Sequence, residues 1–355
     1  MKALVLAGGT GTRLRPFSYS VPKQLIPIAN EPLLVHVLRN IRAAGVTEVG
    51  IVVGDSGDQI AGVLGDGSRH GVRISYLYQE QPLGLAHCVR IARPFLGADD
   101  FLMYLGDNML PDGIAGIAAE FRAGRPAAHV VVHRVADPRA FGVAELSADG
   151  TVVGLVEKPQ QPRSDLALIG VYFFTPAIHR AVDAIRPSAR GELEITDAIQ
   201  WLVRQGAPVR ASEYSGYWKD TGRVEDVLEC NRRLLDRLDR DVAGEVDAQS
   251  DLRGPVVVEA GARIVRSRVE GPVIIGAGSL VEDSYIGPHT AVGRDCVLLN
   301  THVEYSIALD SATVSQIRGL YGSVIGRSAS IGPAAVGRLH HRLIVGDHTR
   351  IEVAA

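Results

Sequence analysis

The stretch VLAGGTGTRLRPFSYSVPKQLIPIAN, Val5 to Asn30, decides how the chain is read. An apolar run enters a glycine cluster, Gly8, Gly9 and Gly11. Arg13 and Arg15 follow, then Lys23, then a second short apolar run. Glycines clustered after a strand let the backbone take positive φ and come close to a ligand. Their N–H groups can then meet phosphate oxygens, with the cations neutralising charge. Two phosphate-binding patterns fail. The P-loop needs Gly-Lys-Ser/Thr, whereas Gly8 leads to Arg13 without it. The dinucleotide pattern needs a third glycine where Leu14 stands.

Strand-like and helix-like segments alternate outward from this loop. Lys2–Leu6, Glu48–Val53, 72–78 and Phe101–Leu105 read as strands. Segments 32–44, 59–64 and 84–92 read as helices, the first ending at Gly45. This rhythm predicts a mixed, mostly parallel Rossmann-like sheet with helices on both faces. Ligands of such sheets sit at the carboxyl ends of the strands, where both the glycine cluster and Gly106-Asp107-Asn108 fall.

The texture changes near Leu252. Ile275, Val281, Ile286, Val292 and Leu298, then Ile325 and Ile331, form aliphatic steps mostly six residues apart, several followed by glycine. That period predicts a hexapeptide left-handed parallel β-helix, interrupted over 300–321. The expected domains are 1–236, catalytic; 237–251, a linker helix; and 252–355, the β-helix.

The chain has 355 residues, 46% hydrophobic and 22% charged, with a net charge of -3. A near-neutral balance gives no reason to expect nucleic acid or an anionic membrane as partner. No apolar run approaches the roughly 20 residues of a membrane span. The N-terminal run enters the glycine loop directly and reads as a first strand, not a signal peptide. Cys88, Cys230 and Cys296 are odd in number and far apart, which argues against disulfides and structural zinc. Cytoplasm is the expected compartment.

The loop as a whole, Leu-Ala-Gly-Gly-x-Gly-Thr-Arg-Leu-x-Pro followed by Pro22-Lys23-x-Leu25-x-Pro27, resembles the signature of the sugar-1-phosphate nucleotidyltransferases. Gln79 to Ala86, Gly106-Asp107-Asn108, Phe141-Gly142, Glu157-Lys158-Pro159, Gly191 to Asp197 and Trp218-Lys219-Asp220-Thr221-Gly222 resemble further motifs of that family in the same order. The resemblance implies a nucleotide site of Leu6, Gly8, Gly9, Gly11, Thr12, Gln24, Gln79, Pro82, Gly84 and Gly106. It implies a sugar-phosphate site of Asn108, Phe141, Gly142, Glu157, Lys158, Ile169, Gly170 and Trp218. Arg13, Lys23, Asp107, Lys158 and Asp220 are the implied catalytic residues, with Asp107 and Asp220 binding Mg2+. The amide of Gln79 both donates and accepts, which suits the imide edge of thymine or uracil.

Within the family, the pattern is most similar to long-form members that transfer a thymidylyl group from dTTP to glucose 1-phosphate, typically for deoxysugar or antibiotic biosynthesis. Guanylyl or uridylyl transfer to another sugar or cyclitol phosphate is the alternative. A hexapeptide acyltransferase or a silent regulatory subunit is the reading from another class. A silent subunit should have lost one of the five catalytic residues, and all are present. The expected partners are a nucleoside triphosphate and a sugar 1-phosphate, with the chain a homo-oligomer.

Overall fold

In the computed structural model, which describes residues 1–333 and 347–352, the first strand is the middle of a parallel core. β1 (Lys2–Leu6) lies between β2 (Glu48–Val53) and β4 (Phe101–Leu105), and β3 (Arg73–Tyr78) continues beyond β2, all parallel. Ala3, Leu4 and Val5 are fully buried, as a near-continuous apolar run covered on both faces should be. Helix α1 (Leu33–Ala43) buries Leu34, Val37, Leu38 and Ile41, the three- and four-residue steps of one face.

The far half of the sheet is mixed. β6 (Ala128–Arg134), β7 (Gly142–Leu146) and β8 (Val152–Glu157) precede the nine-residue β9 (Leu166–Phe174). β9 runs antiparallel to β4, β6 and β7, and β10 (Val209–Glu213) adds to β6 in parallel. The register of β9 against β6 slips between Leu168 and Tyr172, at Gly170. Gly170 has φ 75, and a Cβ there would sit 2.8 Å from both Asn108 Nδ2 and Leu105. Glycine is required at this kink, which admits the Asn108 side chain.

The chain divides into two units. The first comprises Met1–Thr10, Pro22–Leu25 and Leu33–Asp220; the second comprises Gly11–Val21, Ile26–Pro32 and Thr221 onward. The second unit contains a stack of short parallel strands in three sheets, the left-handed β-helix class that the six-residue period predicts. Ile264, Val281, Leu298 and Val314 stack in register up one face, and Val269, Ile286 and Val303 up another, all buried. Helix Val224–Leu235 belongs to this unit. Its fully buried Asn231 accepts from Ala29 N at 2.9 Å and donates to His289 O at 3.3 Å.

Two expectations about the tail are corrected. The linker helix over 237–251 is absent: the segment holds strands Asp241–Val242 and Glu245–Val246, which pair with the next coil. Charge and alanine content suggested a helix, but the β-helix offers an open coil edge whose backbone groups these residues satisfy. Nor does the stack break over 300–321. His302–Glu304, Ile307–Ala308, Thr313–Ser315 and Leu320–Tyr321 continue all three sheets. Val281 pairs with Leu298 seventeen residues on, but Leu298 pairs with Val314 only sixteen on, so one short coil shifts the visible period. Among the described residues, no helix is long and apolar enough to cross a membrane.

Candidate active site

Strand ends in the first unit build the site. The backbone N–H of Gly106 donates to Leu6 O at 2.9 Å, so the turn after β4 is held against the end of β1. Gln79 N donates to Val53 O at 2.8 Å, fixing the residue after β3 beside the end of β2. Gly8 lies between: a Cβ on it would be 3.5 Å from Gln79 Oε1 and 3.6 Å from Gly54 N.

Asp107 follows directly. Lys23 reaches its carboxylate in an ion pair, both side chains mostly buried. The methylene end of Lys23 lies over Gly9, 3.2 Å from where a Cβ would stand. Gln24 is 1% exposed, and among the described residues its Oε1 accepts no hydrogen bond. β5 (Asn108–Met109) pairs antiparallel with β11 (Lys219–Asp220), with Asp220 opposite Asn108. Two aspartates remote in sequence thereby reach one two-stranded element. Asn108 Nδ2 donates to Asp107 Oδ1 at 3.2 Å, and Trp218 Nε1 donates to Asn108 Oδ1 at 2.6 Å. Asp112, which sequence reasoning missed, accepts from Tyr217 N at 3.0 Å and so orients the approach to Trp218.

Trp218 links this cluster to the second group of expected residues. Its ring meets that of Phe141 edge-on at 5.3 Å. Lys158 N donates to Phe141 O at 3.0 Å, and Lys158 has φ 42, an uncommon conformation for lysine. Its side chain is 44% exposed, with Nζ 3.7 Å from Glu157 Oε1. Glu157 accepts from Thr196 Oγ1 at 3.1 Å. Burial, and then the neighbouring Glu194, push its carboxyl above the usual range. Arg190 pairs with the buried Glu194 at 2.9 Å and also faces Glu157 at 3.9 Å.

The loop of Pro82 and Gly84 is tied to the same segment. Leu193 N donates to Leu83 O at 2.8 Å, and Ala86 N donates to Leu193 O at 3.0 Å. Gly84 has φ 102, and a Cβ on it would lie 2.5 Å from Leu193 O, which only glycine allows. Leu193 is thus a functional support that its apolar character concealed. Pro82 is exposed beside this junction. Leu6 and Ile169 are 8% and 1% exposed; their side chains are core, leaving only their backbone to serve a ligand.

Gly11, Thr12 and Arg13 belong to the second unit. Gly11, at φ 63, caps the single turn Thr12–Leu14, and the Arg13 guanidinium packs 2.8 Å from where a Cβ on Gly222 would be. Of the tail histidines, His289 contacts Asp236 and His302 contacts Glu304, while His340 and His341 lie outside the described residues.

Among the described residues, no three His, Cys, Asp or Glu side chains form a metal cluster. The pair Asp107 and Asp220 still fits magnesium, which takes one or two carboxylates and completes its shell with substrate phosphates and water. Lys23 on the Asp107 carboxylate marks where positive charge is already accepted.

Residues 2–237 match the family model described as nucleotidyl transferase. A glucose-1-phosphate thymidylyltransferase of Streptomyces griseus is 55% identical over the full length of both chains. One from Streptomyces antibioticus is 51% identical over 99% of each. A Bacillus anthracis structure assigned as a glucose-1-phosphate thymidylyltransferase, solved with sucrose, superposes with a TM-score of 0.62 at 32% identity, covering 68% of this chain and 97% of that one. The chain belongs to the nucleotidyl transferase family.

Proposed function

We propose that this nucleotidyltransferase transfers a thymidylyl group from dTTP to glucose 1-phosphate, releasing pyrophosphate and forming dTDP-glucose. The observation that carries the reading is the Lys23–Asp107 ion pair beside the strand pair that sets Asp220 opposite Asn108. The full-length Streptomyces relatives support the nucleotide and sugar.

In this reading, a phosphate oxygen of the sugar phosphate attacks the α-phosphorus in line with the departing pyrophosphate. The protein supplies no nucleophile; it orients the reactants and neutralises charge. Gly8 and Gly9 line the nucleotide with backbone N–H groups. Gln79 reads the base, and Gly84 keeps its loop close. Lys23 takes the charge of the triphosphate and the leaving group. Lys158, partly exposed beside Glu157, holds the attacking phosphate, and Phe141, Gly142 and Trp218 wall the sugar. Asp107 and Asp220 would hold Mg2+, which neutralises phosphate oxygens when bound.

The chain works as a homo-oligomer in this reading, since an open β-helix edge gains from cover by a second copy. Its three buried free thiols suit a reducing cytoplasm. A pyrophosphate-release assay with glucose 1-phosphate and each of dTTP, UTP, GTP and ATP tests the function, and a mass measurement in solution tests the assembly.

A further inference from the structure

We propose that His87 fixes the direction of the Gln79 amide and thereby makes the site selective for a base with an imide edge; this rests on the thymidylyl-transfer reading. His87 was not among the residues that the sequence motifs singled out. It sits in α2 (Leu85–Ile91), the helix that begins at Gly84 and is clamped by Leu193. Gln79 Nε2 lies 2.9 Å from His87 Nδ1, and Gln79 Oε1 faces the glycine loop over Gly8. The glutamine backbone is pinned by its bond to Val53 O. The direction of the side chain and its amide remains to be set.

An amide nitrogen can only donate, so His87 Nδ1 is the acceptor and the imidazole carries its single proton on Nε2. Burial, and then Arg90, lower the pKa of His87, which keeps it in this neutral form. One N–H of Gln79 is thus occupied. The other N–H side of the amide meets the Cys88 thiol, so the carbonyl oxygen over the glycine loop is what remains for a ligand, in a fixed position. Thymine and uracil present an N3–H donor beside a carbonyl acceptor. Cytosine presents the reverse, a ring-nitrogen acceptor beside an amino donor. An amide free to turn over could satisfy either edge; one held by His87 satisfies only the first. His87 is therefore a positioning residue for base recognition. It need not touch the nucleotide.

The test measures kcat and KM for dTTP, dCTP and dGTP, with glucose 1-phosphate, in the full-length enzyme and in His87→Leu, His87→Asn, Gln79→Ala and the Gln79→Ala/His87→Leu double variant. His87→Leu should raise KM for dTTP about tenfold, the scale of one hydrogen bond, with kcat little changed. The preference for dTTP over dCTP should fall by about the same factor. His87→Asn should keep the preference, because its Oδ1 can accept where Nδ1 did. In the Gln79→Ala background, His87→Leu should add nothing. An unchanged preference in folded His87→Leu overturns the proposal, as does an equal loss in His87→Asn or a further loss in the Gln79→Ala background. If the unaltered enzyme prefers a purine triphosphate, the thymidylyl-transfer reading itself falls. If it prefers dTTP and only the variants disagree, His87 alone is misassigned.

Discussion

Asp220 stands directly opposite Asn108 in a two-residue antiparallel pair, one position from Asp107, although the aspartates are 113 residues apart in sequence (107 to 220). Trp218 and Asn108 join the same pair through a 2.6 Å hydrogen bond. Asp107→Asn and Asp220→Asn should each lower pyrophosphate release about a hundredfold or more, because each removes a carboxylate that would hold Mg2+ in the proposed site. Circular dichroism should show both variants folded. Near-normal turnover in either would remove that aspartate from the site.

Gly84→Ala should cost about 2 kcal/mol or more, since the new Cβ meets the Leu193 carbonyl while φ stays in the region that side chains avoid. Urea denaturation reads the stability. The KM for nucleotide should rise with it, because the strain falls on the loop after Gln79.

Glu157 gives a pH signature. Its folded-state pKa is raised by burial and by Glu194, so the ionised form is disfavoured in the folded protein. The stability it contributes is present below the ordinary carboxyl pKa and is lost as pH rises through the raised value. Glu157→Gln should therefore melt higher than the parent at neutral pH. The difference should vanish below about pH 4, where both side chains are neutral. Thermal melts across pH 3.5 to 7.5 check the sign. A variant less stable at neutral pH would mean that the Thr196 bond and Arg190 outweigh the desolvation.

Asn231→Ala should destabilise the second unit by roughly 2 kcal/mol, because it removes the partners of Ala29 N and His289 O at a fully buried position. Urea unfolding of the full chain should show the transition that carries the β-helix moving to lower denaturant.

The glycine loop, the first strands and the six-residue period were legible because each is written in contiguous residues. Lys2–Leu6, Glu48–Val53 and Phe101–Leu105 lie where their apolar runs placed them. The meeting of Asp107 with Asp220 depends on a long-range strand register, which no local pattern encodes. Leu193 and Asp112 act through backbone and loop contacts that their types do not advertise. Segment 237–251 misled because a β-helix edge can recruit almost any short chain with a free backbone. His87 was hidden for the opposite reason: a histidine on a short helix is common, and only its distance to Gln79 gives it a role.

Pyrophosphate release with magnesium and glucose 1-phosphate, offered dTTP, UTP, GTP and ATP in parallel, tests the central claim most directly. The structure and its relatives predict turnover with dTTP at the highest kcat/KM, UTP following because it presents the same imide edge. A clear preference for GTP or ATP, or no release with any of the four from folded protein, would contradict thymidylyl transfer to glucose 1-phosphate.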